Sequence, residues 1–326
     1  MTHRAPFVAE SAPSGEFVRQ PNRFNGRISA SSRSGPGDGP DADGLWPVEP
    51  GRYRLVVSLA CPWAHRSVIV RRLHGLEDAI SLAVVDPIRD GRGWRFWLDE
   101  DHHDALLDIE FLSEAYLRTD PSFTGRVTVP AIVDTRTGLV VTNDYPQITL
   151  DLSTEWTAFH APDAPDLLPS EPSVRAEHDA LVEDIFRDVN NGVYRAGFAT
   201  SQGAYEQAYA QLFDRLDALS DRLRTRRFLM GDAITEVDVR LFTTLVRFDA
   251  VYHGHFKCNR NKLTEDPVLW AYARDLYQTT GFGETVDFDH IKRHYYATHD
   301  TINPTLVVPL GPDTSGWTTP HGRDHS

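Results

Sequence analysis

Apolar positions change their spacing along the chain. Between residues 45 and 155 they come in short runs: RYRLVVSLA, ending just before Cys61, and AISLAVVD (79–86) read as buried strands. CPWAHRSVIVRRLHGL lies between them as a helix, with Pro62 at a first-turn position where a missing N–H costs nothing. RVTVPAIVD and GLVVTN, joined by the turn residues DTRTG, read as an antiparallel hairpin. These elements predict a small α/β unit over 45–155. A proline-rich linker, 156–172, contains most of APDAPDLLPSEPS. Over 173–312 the period becomes helical: Ala208, Leu212, Leu216, Leu219 and Leu223 recur at three and four and define one buried face. GDAITEVDVRLF marks a further helix start, with Thr235 as cap, Asp238 closing the reciprocal bond, and Ile234 and Val239 placed as a hydrophobic staple. Residues 1–44 show no period and are rich in Ser, Gly, Pro and Asp, so they read as an extended arm. Residues 313–326 read as a C-terminal tail, its end HGRDHS as a frayed terminus.

Charge narrows the partners. The 326 residues carry 33 basic and 47 acidic side chains, a formal net charge of -14, which opposes binding to nucleic acid and to anionic lipid. No run of 18 apolar residues occurs and MTHRAPFVAESAP has no apolar core, so no membrane span or secretory signal is expected and the cytoplasm is the default location. Lysine appears only at 257, 262 and 292, a bias associated with GC-rich genomes.

Two cysteines are too few for a disulfide framework, which leaves a reactive thiol or an inert core residue for each of Cys61 and Cys258. Cys61 stands where a strand meets a helix. Helix-start N–H groups and the positive end of the helix dipole favour thiolate there, whereas an arbitrary buried cysteine is structural. Ala64 replaces the second cysteine of a redox pair, so a mixed disulfide at Cys61 needs a small thiol to release it. Val129-Pro130 interrupts a strand where proline is normally excluded; a cis peptide presenting the Val129 backbone to a ligand and a trans proline on an edge strand are both open. His253, His255 and Cys258 have metal-like spacing but no evident fourth ligand, so no metal is expected.

SLACPWAHR, RVTVPAIVD, NNGVYRAGFAT, TEVDVRLFTTLVRFDAVYHGHFKCN and VDFDHIKRHYYATHDTINP resemble the glutathionyl-hydroquinone reductases, or xi-class glutathione transferases, over residues 45–312. The resemblance implies a thioredoxin-like N-terminal domain (α/β) followed by an all-α glutathione-transferase domain, and a homodimer. It also implies reductive cleavage of a glutathionyl-hydroquinone through an enzyme mixed disulfide that a second glutathione resolves. By match of motif, Cys61 is the nucleophile, Trp94 lines the thiol-carrier pocket, and Val129 and Pro130 clamp the carrier's cysteinyl part. Tyr194, Tyr252 and Tyr295 are the tyrosines around the aromatic substrate, where phenol hydroxyls can donate to a quinone oxygen. Each of these tyrosines, taken alone, is otherwise a packed core residue.

The chain departs from the family at TNDYPQIT. Members usually carry Glu-Ser at this helix start to hold the γ-glutamyl end of glutathione; here Asp144 shortens the carboxylate, Tyr145 replaces the small hydroxyl and Pro146 follows. One reading is drift with glutathione still bound. The other is a different carrier such as mycothiol, common in GC-rich actinobacteria, which lacks the free amino and carboxylate groups that the pair would hold. A second class of function stays open: a non-catalytic ligand-binding or assembly protein on the transferase scaffold.

Overall fold

The computed structural model describes residues 10–35, 37–98 and 100–323, which divide into two compact units, residues 21–164 and residues 10–20 with 165–323. In the first unit, β1 (Arg27–Ser29) and β2 (Leu45–Pro47) form a short parallel pair. The main sheet has the order β4-β3-β5-β6, built from β3 (Tyr53–Val57), β4 (Ile80–Val84), β5 (Ala131–Asp134) and β6 (Val140–Thr142). β3 runs parallel to β4 and antiparallel to β5, and β5 and β6 form the expected hairpin. Tyr53, Leu55, Val56 and Val57 are all 0 % exposed, so β3 is covered on both faces and needs no polar alternation. This is the mixed sheet of a thioredoxin-like domain.

α1 (Pro62–Leu73) follows β3, α2 (Leu112–Thr119) lies between β4 and β5, and α3 (Tyr145–Thr154) follows β6 and packs on α1. α1 stops at Gly75, which takes φ 67° while the Leu76 N–H returns to the Arg71 carbonyl at 2.9 Å. A Cβ there would stand 2.7 Å from that of Ala161, so conformation and space both require glycine. At the far end of the sheet, Arg52 Nε and Nη2 donate to Asp134 at 2.9 and 3.3 Å. Both side chains are 0 % exposed, so the pairing compensates their loss of water.

The second unit is helical: α4 (Pro172–Ile185), α5 (Gly192–Gly197), α6 (Gln202–Leu223), α7 (Glu236–Arg247), α8 (Pro267–Gln278) and α9 (Phe288–Thr298). The five α6 residues spaced at three and four are all buried. Thr235 and Asp238 form the reciprocal cap of α7, and the fully buried Asp238 carboxylate also accepts from Leu229 N–H at 2.9 Å and Tyr272 hydroxyl at 2.8 Å. Two π turns interrupt this unit. Phe186–Asn190 joins α4 to α5, and Phe248–Tyr252 continues α7. Asn190 ties the first to α7, its amide donating to Arg240 O at 2.9 Å and Thr244 Oγ1 at 2.7 Å.

The ends differ from the expectation of loose polar segments. Residues 21–44 belong to the first unit, where Ile28 in β1 is buried. Residues 10–20 belong to the second, where Phe17 is buried and stacks on Phe198. HGRDHS does not fray at its start: Arg323 is 6 % exposed and donates to the carbonyls of Leu223, Arg226 and Arg227 at 3.2, 2.6 and 2.8 Å. A guanidinium is matched to the carbonyl of the last α6 residue and to two in the loop beyond it, a contact no periodicity announces. Residues 1–9 of the expected arm and 324–326 of the tail lie outside the described residues.

Candidate functional site

In the first unit, Cys61 caps α1 with extended backbone, and Pro62 occupies the first turn as anticipated. The thiol is half-buried and donates to the Val129 carbonyl at 3.4 Å, and the Val129-Pro130 peptide is cis. Cys61, Val129 and Pro130 therefore converge although 68 residues separate the first pair. The Cys61 side chain makes no cap hydrogen bond to the first N–H groups of α1. Trp94, 5 % exposed, lies beyond β4 with the Arg89 guanidinium 5.7 Å from its ring, and its carbonyl accepts from Leu112 N–H at the start of α2.

Asp144 caps α3 by position and accepts from Asn22 at 3.1 Å, while Tyr145 and Pro146 open the helix. The Tyr145 ring packs 4.8 Å from that of Trp63 on α1, and the Arg66 guanidinium stands 4.6 Å from the Trp63 ring and 5.9 Å from that of Tyr145. Sequence reasoning singles out Tyr145, and reads His65 and Arg66, one turn beyond Cys61, as added positive potential, but misses Trp63, whose only signal is its place in the first turn of α1.

In the second unit, Tyr194 on α5, Tyr252 on the second π turn and Tyr295 on α9 come together. The Tyr295 hydroxyl lies 2.5 Å from that of Tyr194 and 3.0 Å from that of Tyr252, so the three phenol oxygens meet in one cluster. Tyr252 is 0 %, Tyr295 2 % and Tyr194 9 % exposed, which makes Tyr194 the end nearest solvent. Burial, and then the neighbouring Tyr194, push the Tyr252 and Tyr295 phenols well above their ordinary value, so both stay protonated donors. Phe256 packs against all three rings. It can do so because residue 197 is glycine: a Cβ there would lie 2.2 Å from the Phe256 ring.

Of the residues with metal-like spacing, His255 serves this packing. His255 Nε2 meets His299 Nδ1 at 3.2 Å, and His299 stands 5.4 Å from the Tyr295 ring. Cys258 is fully buried and burial pushes its thiol up, which makes it inert. Among the described residues no three acidic, histidine or cysteine groups converge as metal ligands, and no helix is long and apolar enough to cross a membrane.

Residues 60–155 match the glutathione S-transferase N-terminal domain family and residues 202–275 the glutathione S-transferase C-terminal domain family. The chain is 43 % identical to the glutathionyl-hydroquinone reductase YqjG of Escherichia coli, over 95 % of this chain and 93 % of that one. A crystal structure of a glutathione transferase from Gordonia bronchialis shares 57 % identity and superposes with a TM-score of 0.87, covering 92 % of this chain and 90 % of that one. The glutathione-bound structure of YqjG superposes with a TM-score of 0.84, covering 93 % and 96 %. Identity of this level over nearly the whole length, across both units, shows that the chain belongs to the glutathionyl-hydroquinone reductase family of xi-class glutathione transferases and is an enzyme of this kind.

Proposed function

We propose that this enzyme cleaves S-conjugated hydroquinones reductively, with Cys61 taking the sulfur and the tyrosine hydroxyls taking the ring oxygen. The meeting of the Tyr194, Tyr295 and Tyr252 hydroxyls supports the reading, because it gathers three phenol donors that stay protonated into one cluster suited to a ring oxygen. The Cys61 thiolate attacks the thioether sulfur, a sulfur–sulfur bond forms, and the carbon–sulfur electron pair passes to the ring. The ring carbon gains a proton and leaves as free hydroquinone. A second small thiolate then attacks the enzyme disulfide and returns Cys61 as thiolate. Sulfur is oxidised from two thiol-level centres to one disulfide, and the ring carbon is reduced. Trp94, Val129 and Pro130 hold the carrier in this scheme, the enzyme works as a cytoplasmic homodimer, and no metal takes part.

Glutathione is the first carrier to test, since it is bound in the YqjG structure. Mycothiol is favoured by one observation: the bulky Tyr145, packed on Trp63, stands where the family carries a small hydroxyl beside its carboxylate. Incubating wild type, Cys61→Ser and Cys258→Ser with a glutathionyl-hydroquinone and weighing the intact protein tests the first reading. The adduct is expected on wild type and Cys258→Ser alone, and an adduct that survives Cys61→Ser overturns it. For the carrier, the pre-formed mixed disulfide is resolved by glutathione or by mycothiol at equal thiolate concentration; faster resolution by glutathione returns the enzyme to the ordinary family carrier.

A further inference from the structure

The Val129-Pro130 pair and the start of α3, with Asp144 and Tyr145, are joined by a residue that belongs to neither. Asn143, 3 % exposed, stands between β6 and α3. Its N–H donates to the Phe24 carbonyl at 2.9 Å, and its own carbonyl accepts from Tyr145 N–H at 3.0 Å. The side-chain oxygen accepts from Phe24 N–H at 2.9 Å. A backbone N–H can only donate, so this contact turns the amide oxygen toward Phe24 and the amide nitrogen toward Thr128. There Nδ2 donates to Thr128 Oγ1 at 2.9 Å. Thr128 immediately precedes Val129, and Tyr116 on α2 holds its main chain: the phenol donates to the Thr128 carbonyl at 2.7 Å and accepts from its N–H at 3.3 Å. The β5–β6 ladder ends at Ile132 and Thr142, so the Asn143–Thr128 bond closes the hairpin where main-chain pairing stops.

We propose that Asn143 is a positioning residue that holds the Val129-Pro130 pair in register with the Asp144-Tyr145 helix start, so that one thiol carrier contacts both at once. The inference rests on the reading that these residues hold the carrier. A ligand gripped at two places gains fully from the second only when their spacing is set beforehand; otherwise binding must also order the loop between them. The task needs one acceptor and one donor on a short side chain, and asparagine supplies both. Residues 22–26 buttress the joint: Asn22 donates to Asp144 at 3.1 Å, the Phe24 ring meets that of Tyr116 edge-on at 5.2 Å, and Gly26 N–H donates to the Val141 carbonyl at 3.1 Å. Ahead of a helix an asparagine reads as an ordinary turn or cap residue, which hides this role in the sequence.

Thr128→Val removes the Oγ1 acceptor at nearly constant shape, Thr128→Ser keeps it, and Asn143→Leu removes both side-chain bonds. Titration calorimetry measures binding of S-methylglutathione and S-methylmycothiol, ring-free thioethers of the two carriers, and kcat and KM are measured on a conjugated hydroquinone. For whichever carrier the wild type binds more tightly, Thr128→Val should weaken binding about fivefold to thirtyfold and raise the conjugate KM by a similar factor, with kcat within about twofold. Thr128→Ser should recover most of that loss. Asn143→Leu should lose at least as much as Thr128→Val, and the double variant no more than Asn143→Leu alone, since both break the same bond. The valine and serine variants at 128 decide the matter even where Asn143→Leu fails to fold. Unchanged binding in Thr128→Val, equal losses in Thr128→Val and Thr128→Ser, or a loss confined to kcat would each overturn the assignment. A wild type that binds neither thioether instead removes the carrier reading on which the inference stands.

Discussion

Tyr295→Phe removes a single oxygen, but that oxygen contacts both of the other hydroxyls, at 2.5 Å to Tyr194 and 3.0 Å to Tyr252. A net intramolecular hydrogen bond is worth about 0.5–1.5 kcal/mol and a buried hydroxyl left without a partner costs about 1–3 kcal/mol. Tyr252, at 0 % exposure, cannot turn to bulk water, whereas Tyr194, at 9 %, lies closer to it. The central variant should therefore lose roughly 3–4 kcal/mol, and Tyr194→Phe or Tyr252→Phe, each of which breaks one bond and leaves the other pair intact, about 1–2 kcal/mol. In a unit of this size each kcal/mol moves the melting temperature by about 2–4 °C. Scanning calorimetry of the three single variants should place Tyr295→Phe lowest by several degrees. Conjugate turnover should fall by about tenfold or more in all three, and a ring-free mixed disulfide, which has no oxygen to stabilise, should be spared. A central variant that melts no lower than the end variants would refute the reasoning, because it would show the two remaining hydroxyls pairing directly.

Three further outcomes follow from the geometry. Cys258→Ser should leave conjugate turnover within about twofold of wild type, and Cys258 should resist alkylation until the protein is unfolded, since burial raises its thiol and hides it; rapid alkylation of both cysteines in the native enzyme contradicts this. Burial pushes the Asp134 carboxyl up, but Arg52 and Thr137 outweigh it and hold it below the usual carboxylate range. The stability it contributes is then complete above about pH 4 and is lost as pH falls through the depressed folded value. Asp134→Asn should cost about 3–5 kcal/mol in urea unfolding at pH 7 and flatten that acid limb. His255 sits at about 4 when folded against about 6.5 unfolded, so stability is full above pH 6.5 and declines as pH falls toward 4; His255→Phe should remove part of this slope, and an unchanged slope counts against a neutral buried imidazole.

The elements that local chemistry dictates were legible in the sequence. Pro62 after an apolar run marked the start of α1 and set Cys61 at its cap, the α6 face followed from its spacing, and Thr235 with Asp238 fixed the start of α7. The three tyrosines were legible only by resemblance of their surrounding strings, and nothing in spacing could have joined residues 194, 252 and 295. What stayed hidden depends on partners distant in sequence. The amide of Asn190 is satisfied by carbonyl and hydroxyl groups 50 and 54 residues away, and Arg323 by carbonyls nearly 100 residues before it. β1 gains its strand only by pairing with β2, since three residues carry no period of their own.

The two π turns have a consequence for how the tyrosines can change. Each residue of a helix advances the direction of its side chains by about 100°, so a turn that holds one extra residue swings everything after it off the helical wheel of what came before. Tyr194 follows one such turn and Tyr252 ends the other. A one-residue deletion within 186–190 or 248–252 would let the helix run regularly, improve its local hydrogen bonding, and aim the phenol away from Tyr295. Point substitution can tune these hydroxyls one at a time, whereas insertion or deletion at two short segments would dismantle their meeting point while leaving every helix intact.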